Sequence, residues 1–96
     1  MRIAWTSSSK ADLHDILTYL ADLNPIAAVA LIERIESRVE LLARFPHAGR
    51  PGRVVGTREL PIVGTAYIAA YRLNRKEDRI EVLAVRHGAR RWPETL

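Results

Sequence analysis

The sequence predicts a two-layer α+β domain of the order β-α-α-β-β-β, an antiparallel helix hairpin packed on an antiparallel sheet. Three observations carry this expectation. Apolar residues recur at three- and four-residue spacing over two adjoining segments of the first half of the chain. β-Branched and aromatic residues dominate three short runs of the second half, each bounded by turn formers. A chain of 96 residues with 48% hydrophobic and 27% charged content has enough apolar material for one packed domain, residues 1–96, and too little for two.

The elements follow in order. Arg2 to Trp5 alternates and carries a β-branched and an aromatic residue, a first strand, and Thr6-Ser7-Ser8-Ser9 supplies the N-cap of what comes next. From Lys10 to Leu23, the positions of Ala11, Ile16, Leu17, Leu20 and Leu23 trace one face of a helix, and Ser9 with Asp12 has capping-box spacing. Asn24-Pro25 pairs a cap residue with proline at the first helical position, where its missing N–H costs nothing. A second helix therefore starts there and runs to about Phe45, with Ala28, Val29, Ile32, Ile35, Val39 and Leu42 as its apolar stripe. Pro46 to Arg53 holds two prolines and two glycines and reads as an irregular loop. Strands are expected over Arg58 to Val63, Ala66 to Leu73 and Arg79 to His87, joined by Gly64-Thr65 and by Asn74 to Asp78 as an antiparallel meander. Ile80 to Val85 is apolar at almost every position, as a strand covered on both faces would be.

Composition excludes several classes of function. Without cysteine there is no disulfide, no thiolate nucleophile and no cysteine-based metal site, which agrees with a reducing, cytoplasmic setting. The longest apolar run, Ile26 to Ile32, has seven residues, far short of a membrane span, and the N-terminal stretch turns polar too soon for a signal peptide. His14, His47 and His87 lie far apart with no partner at ligand spacing, so no metal and no cofactor are expected. Ser7, Ser8, Ser9 and Ser37 sit in no nucleophile elbow. Gly49-Arg50-Pro51 has the composition of a minor-groove hook, but between two folded elements it reads as an ordered turn.

Charge is distributed unevenly. Met1 to Ala43 is net −2 and Arg44 to Leu96 net +6, with arginine supplying ten of the eleven cations of the second half. Arginine forks bind phosphates and carboxylates, so an acidic partner is expected there. If the chain is an enzyme, the chemistry its residues suit is attack of a ribose 2′-hydroxyl on phosphorus, which needs a base, an acid and cations. Arg58, Arg72, Arg86, Arg90, Arg91, Glu59, Tyr67, Tyr71 and His87 are the available pieces, and each also has an ordinary structural reading.

Seven motifs in register then resemble the RelE/ParE superfamily of toxins from type II toxin-antitoxin modules. They are Trp5; Ala11-Asp12-Leu13 with Ile16 and Tyr19; Pro25 to Ala28; Pro46-x-x-Gly49-Arg50-x-Gly52-Arg53; Gly56 to Leu60; Tyr67-x-x-x-Tyr71-Arg72; and Val85-Arg86-His87-x-x-Arg90-x-Trp92-Pro93. The resemblance implies a toxin neutralised by a cognate, ParD-like antitoxin in a hetero-oligomer, with growth inhibition and plasmid stabilisation as associated roles. It also implies one of two mechanisms. ParE-like members poison DNA gyrase and have no hydrolytic site. RelE-like members are ribosome-dependent endoribonucleases that cut mRNA.

The residues favour the ParE-like branch. RelE-like nucleases place a phosphate-supporting arginine directly after the first tyrosine of the strand beginning at Tyr67, and here that position is Ile68. Losing one such donor typically costs ~3 to 4 kcal/mol of transition-state stabilisation. The lysines of the preceding strand are absent too, since Glu59 to Val63 follow Arg58. The expectation is therefore a gyrase inhibitor with no catalytic residues, the alternative being a nuclease using Arg58, Arg72, Arg86 and His87. Arg58, Arg72, Arg86, His87, Arg90, Arg91 and Trp92 are the expected target- or antitoxin-facing residues. A third class, a module that only binds its antitoxin, stays open. The apolar surface of the helix pair around Ala27 to Ile32 is the expected seat of an antitoxin segment that folds on binding.

Overall fold

The computed structural model describes residues 1–96 as two helices packed on one face of a five-stranded sheet. In chain order these are β1 (Arg2–Trp5), α1 (Ser7–Ala21), α2 (Pro25–Glu40), a 3-10 turn (Leu41–Ala43), β2 (Arg50–Pro51), β3 (Arg58–Pro61), β4 (Tyr67–Asn74) and β5 (Arg79–His87). The strand order across the sheet is β1-β5-β4-β3-β2.

The expected order of elements holds, and the sheet differs from expectation in one respect: it is mixed. β3, β4 and β5 form the antiparallel meander, but β1 pairs parallel to β5, with Ile3 opposite Ile80 and Trp5 opposite Val82. The helix hairpin is the cause. It carries the chain across one face of the sheet between β1 and the meander, and a crossover of that length returns strands in parallel as readily as antiparallel. The loop also departs from expectation, because Arg50–Pro51 adds a short edge strand opposite Arg58 and Glu59. Edge strands tolerate proline because their outward N–H has no partner to lose.

Both helices are capped, α1 one turn earlier than its apolar spacing suggests. Thr6, not Ser9, is the cap of α1: the Thr6 hydroxyl oxygen accepts the Ser9 N–H and the hydroxyl donates to the Val82 carbonyl at 2.9 Å, tying the helix start to β5. Ser9 is fully buried in the first turn, and Ala11 and Leu23 face outward. Asn24 caps α2 through the Ala27 N–H, with Pro25 at the first position as expected.

The core lies between α2 and the inner sheet face. Ile35, Val39 and Leu42 meet Leu60, Ile62, Ala69, Tyr71, Ile80, Val82 and Val85, and α1 adds Leu13 and Ile16 at the margin. Tyr71 is the largest fully buried side chain. Its hydroxyl donates to the Pro46 carbonyl at 2.8 Å and accepts the Gly49 N–H at 2.9 Å, so the loop after α2 is an ordered turn clamped from inside the core. A Cβ on Gly49 would lie 2.6 Å from the Tyr71 hydroxyl, which is why no side chain fits there.

β5 contains a bulge. Ala70 lies opposite Ala84 and Tyr71 opposite Val82, which leaves Leu83 as an extra residue. The extra residue reverses which side chains face inward, so Ile80 and Val82 point to the core before it and Val85 after it. The far end of β5 is thereby re-aimed, and Arg86 and His87 with it.

Candidate functional site

The expected site residues fall into three places. Arg86, His87, Arg90 and Arg91 do converge, around a cleft of about 570 Å³ between α1 and the end of β5. α1 contributes Asp12, Asp15, Ile16 and Tyr19 to the opposite wall, and Tyr67 closes the floor. Arg58 lies elsewhere, at the β3 edge, where Nη2 and Nε donate to the Gly49 carbonyl at 2.6 and 3.0 Å. Arg72 projects from the opposite face of the sheet, bonded to Glu81 at 2.6 Å. Trp92 packs against Arg53, whose guanidinium carbon is 4.2 Å from the ring centre, and its indole N–H donates to the His87 carbonyl.

Within the cleft, two contacts fix the geometry. The Asp12 carboxylate accepts the Val85 N–H at 2.9 Å, joining α1 to β5 beyond the last residue of β1 that pairs with it. His87 sits edge-on to Tyr67, with ring centres 5.9 Å apart, and its Nδ1 accepts the Ala89 N–H at 3.2 Å. A backbone N–H can only donate, so Nδ1 is the accepting atom of this contact.

The other face of the sheet carries no helix, and its polar network leaves little trace in local pattern. Ile68 is 7% exposed and Ala70 fully buried, as packing residues would be. What Ile68 packs on is the segment after β5: a Cβ built on Gly88 would lie 2.9 Å from the Ile68 Cδ1. Beside them are two carboxylates, each held between arginines. Glu59, 2% exposed, accepts from Arg53 Nε at 3.1 Å and the Arg53 backbone N–H at 2.8 Å, with Arg50 at 3.5 Å on its other side. Burial pushes the Glu59 carboxyl up, but the hydrogen bonds and charge of Arg53, helped by Arg50, outweigh it and hold it below its ordinary value. Glu81 accepts from Arg72 at 2.6 Å, Arg79 at 2.8 Å and Asn74 at 3.3 Å. The Arg72 bond first, then those from Arg79 and Asn74, bring its carboxyl down to about 2. Glu59 was expected either as a piece of nuclease chemistry or as an ordinary strand-edge residue, and Glu81 carried no site expectation. The available signal was a lone carboxylate inside the otherwise apolar run Ile80 to Val85.

A third feature is apolar. Tyr19, Leu23, Ile26 and Val29 are 67, 70, 84 and 51% exposed and form a ridge over the tip of the helix hairpin, beginning where the cleft ends. Ala28, next to them in sequence, is fully buried between the helices. No three His, Asp or Glu side chains converge as a metal-holding group, and no helix is long and apolar enough to cross a membrane.

Residues 3–92 match the family model described as the ParE toxin of type II toxin-antitoxin system, parDE. The candidate toxin Y4kP of Sinorhizobium fredii is 39% identical over 95 residues, 99% of this chain and 96% of that protein. Toxin RelE2 of Caulobacter vibrioides is 29% identical, covering 93% of this chain and 97% of its own. Among solved structures, the chromosomal ParDE toxin-antitoxin system from P. aeruginosa superposes with a TM-score of 0.81 at 28% identity, over 91% of this chain and 95% of that one. The RelBE2 toxin-antitoxin complex from Mycobacterium tuberculosis superposes at 0.62 over 90% and 95%, and at 24% identity it speaks for the fold alone.

Proposed function

The chain belongs to the ParE toxin family of type II toxin-antitoxin systems, and from that premise we propose that it arrests growth by engaging DNA gyrase, cuts no RNA, and is neutralised by a ParD-like antitoxin. The observation that carries the choice of target is Ile68. It stands where RelE-like nucleases carry a phosphate-supporting arginine, and it is buried beneath Gly88. Of the arginines on its sheet face, Arg50, Arg53, Arg72 and Arg79 are bonded to Glu59 and Glu81, while Arg86, directly across from Ile68, has no carboxylate partner, so the position itself offers a reacting phosphate an apolar side chain.

A second reading, a ribosome-dependent mRNA endoribonuclease, draws on the cleft, which does gather Tyr67, Arg86, His87, Arg90 and Arg91. Weighing against it, Ile68 stands in place of the arginine and His87 engages the Ala89 N–H through Nδ1. An in vitro supercoiling and cleavage assay with gyrase, run beside mRNA cleavage on programmed ribosomes, separates the two. The expected result is inhibition of gyrase with mRNA intact. Specific mRNA cleavage with supercoiling unaffected overturns the proposal.

The antitoxin reading rests on the hairpin ridge and the cleft together. An amphipathic segment laid along α1 would bury Tyr19, Leu23 and Ile26 and bring acidic residues to Arg90 and Arg91. Such a segment, disordered alone and folding on the toxin, suits an inhibitor that is removed by proteolysis.

A further inference from the structure

We propose that the helix-free face of the sheet, built around its two arginine–glutamate–arginine triads, grips the phosphate backbone of duplex DNA. This surface lies opposite the helices and does not rest on the choice between gyrase and ribosome.

The geometry begins with register. Arg50 pairs with Glu59, which pairs with Ala70, and Arg72, two residues further along β4, pairs with Glu81 on β5. All of these side chains therefore share one face. Arg79 joins them through Glu81, and Arg2 stands directly across from Arg79 on β1. These five arginines against two glutamates carry three positive charges in excess; Arg86, opposite Ile68 on the same face, lines the clefts at the end of β5. Arg2 has no carboxylate partner at all, and like charges directly opposite one another in a sheet repel unless an anion lies between them.

Arg72 is held through Nε at 2.6 Å from Glu81 and Arg50 more loosely, its Nη2 3.5 Å from Glu59, and these outer arginines remain 53 and 55% exposed. A guanidinium held in this way has donors left to point outward and little side-chain entropy left to lose on binding. The two triads stand two strands apart, roughly 10 Å. One small anion cannot meet both, whereas a polymer of phosphates can.

The lack of an aromatic platform selects the duplex over single-stranded RNA. Single strands are held by stacking bases on exposed rings. On this sheet the aromatic side chains Trp5, Tyr67 and Tyr71 pack on the core side, and the Trp92 ring is taken by Arg53. Between the triads lies Ala70, which is fully buried and offers no pocket, whereas an acidic peptide gains its affinity from buried anchors such as the hairpin ridge offers. Charge without rings or apolar pockets is the footprint of contact to a duplex backbone.

The test is fluorescence anisotropy of a labelled duplex of ~20 base pairs and random sequence, with the full chain free of antitoxin, from ~50 mM salt upward. The expected result is binding that weakens with salt with a slope of roughly −2 to −3 in log–log form, one phosphate for each excess charge. Arg50→Gln, Arg72→Gln and Arg2→Gln should each weaken binding roughly threefold or more and reduce the slope by about one, while Arg34→Gln on α2 leaves both unchanged. Arg2 has no ion pair to lose, so its substitution keeps the test valid if a triad variant misfolds. No binding at ~50 mM salt, binding indifferent to all three substitutions, tighter binding of single-stranded RNA, or displacement of the duplex by poly-glutamate at lower concentration than by unlabelled duplex overturns the proposal.

Discussion

Arg53 and Trp92, far apart in the sequence, hold the end of the chain on the body of the protein: the guanidinium carbon of Arg53 lies 4.2 Å from the centre of the Trp92 ring. The same guanidinium donates to Glu59 through Nε and Nη2 and to the Gly88 carbonyl through Nη1 at 3.1 Å. One side chain thus links a buried carboxylate, the loop after α2 and the segment that follows β5. Trp92→Ala removes a partly exposed cation–π contact worth about 1 kcal/mol. A melting temperature lower by roughly 4 to 8 °C is expected, with faster amide exchange from Gly88 onward and slower regions elsewhere unchanged.

Asp12 performs a backbone task at the mouth of the cleft. β1 pairs with β5 only as far as Val82, and the Asp12 carboxylate takes up the Val85 N–H beyond it. Val85 is 2% exposed, so water cannot replace the lost acceptor. Asp12→Ala should cost about 1 to 3 kcal/mol in chemical denaturation, and Asp12→Asn, which keeps an acceptor oxygen, markedly less.

Ile68→Arg restores the arginine of the nuclease branch and tests whether its absence alone withholds activity. Ile68 is 7% exposed and meets Gly88, so a guanidinium there displaces the chain after β5 or is buried without a carboxylate of its own. A loss of about 2 to 4 kcal/mol is expected, and no mRNA cleavage on programmed ribosomes. Cleavage by this variant would point to a dormant nuclease.

Ile26→Asp places a charge on the most exposed large apolar residue of the hairpin ridge. The side chain contributes little to the fold, so the melting temperature should move by no more than a few degrees. Titration calorimetry against the cognate antitoxin should show affinity reduced at least tenfold, about 1.4 kcal/mol. Unchanged affinity would move the antitoxin off the ridge.

The order of elements was legible because it is written in local pattern. Asn24-Pro25 marks the hairpin corner, and the stripe Ile32, Ile35, Val39 and Leu42 marks the buried side of α2. What local pattern cannot carry is pairing at a distance. That β1 lies parallel to β5 depends on the path of the hairpin, and that Thr6 caps α1 depends in part on Val82, a residue of the far strand. The site was legible to the same extent. Arg86, His87, Arg90 and Arg91 are neighbours in sequence and line one cleft; Arg58 is held at the β3 edge by the Gly49 carbonyl, and Arg72, though on the face of Arg86, is tied to Glu81 further along the strand. The bulge at Leu83, invisible in composition, decides which way the end of β5 points.

The carboxylate of Glu81 gives the fold a defined response to acid. Its pKa is about 2 against an ordinary 4.5, because Arg72, Arg79 and Asn74 bond its ionised form. A carboxyl depressed in the folded state stabilises the fold above its unfolded value and ceases to do so as the pH falls through the folded one. The contribution is therefore complete above about pH 5 and fades toward pH 2. A shift of that size corresponds to at most about 3 kcal/mol, and solvent around Arg72, which is 53% exposed, reduces it to roughly 1 to 2. Urea denaturation of the wild type and of Glu81→Gln at a series of pH values reads this directly. The variant should be less stable at neutral pH, and the gap should narrow steadily below about pH 4.5. Glu59, also held below its ordinary value, keeps a residual acid dependence in the variant. A gap that stays constant from neutral pH down to about 2 would mean that Glu81 stabilises the sheet by packing and not by charge.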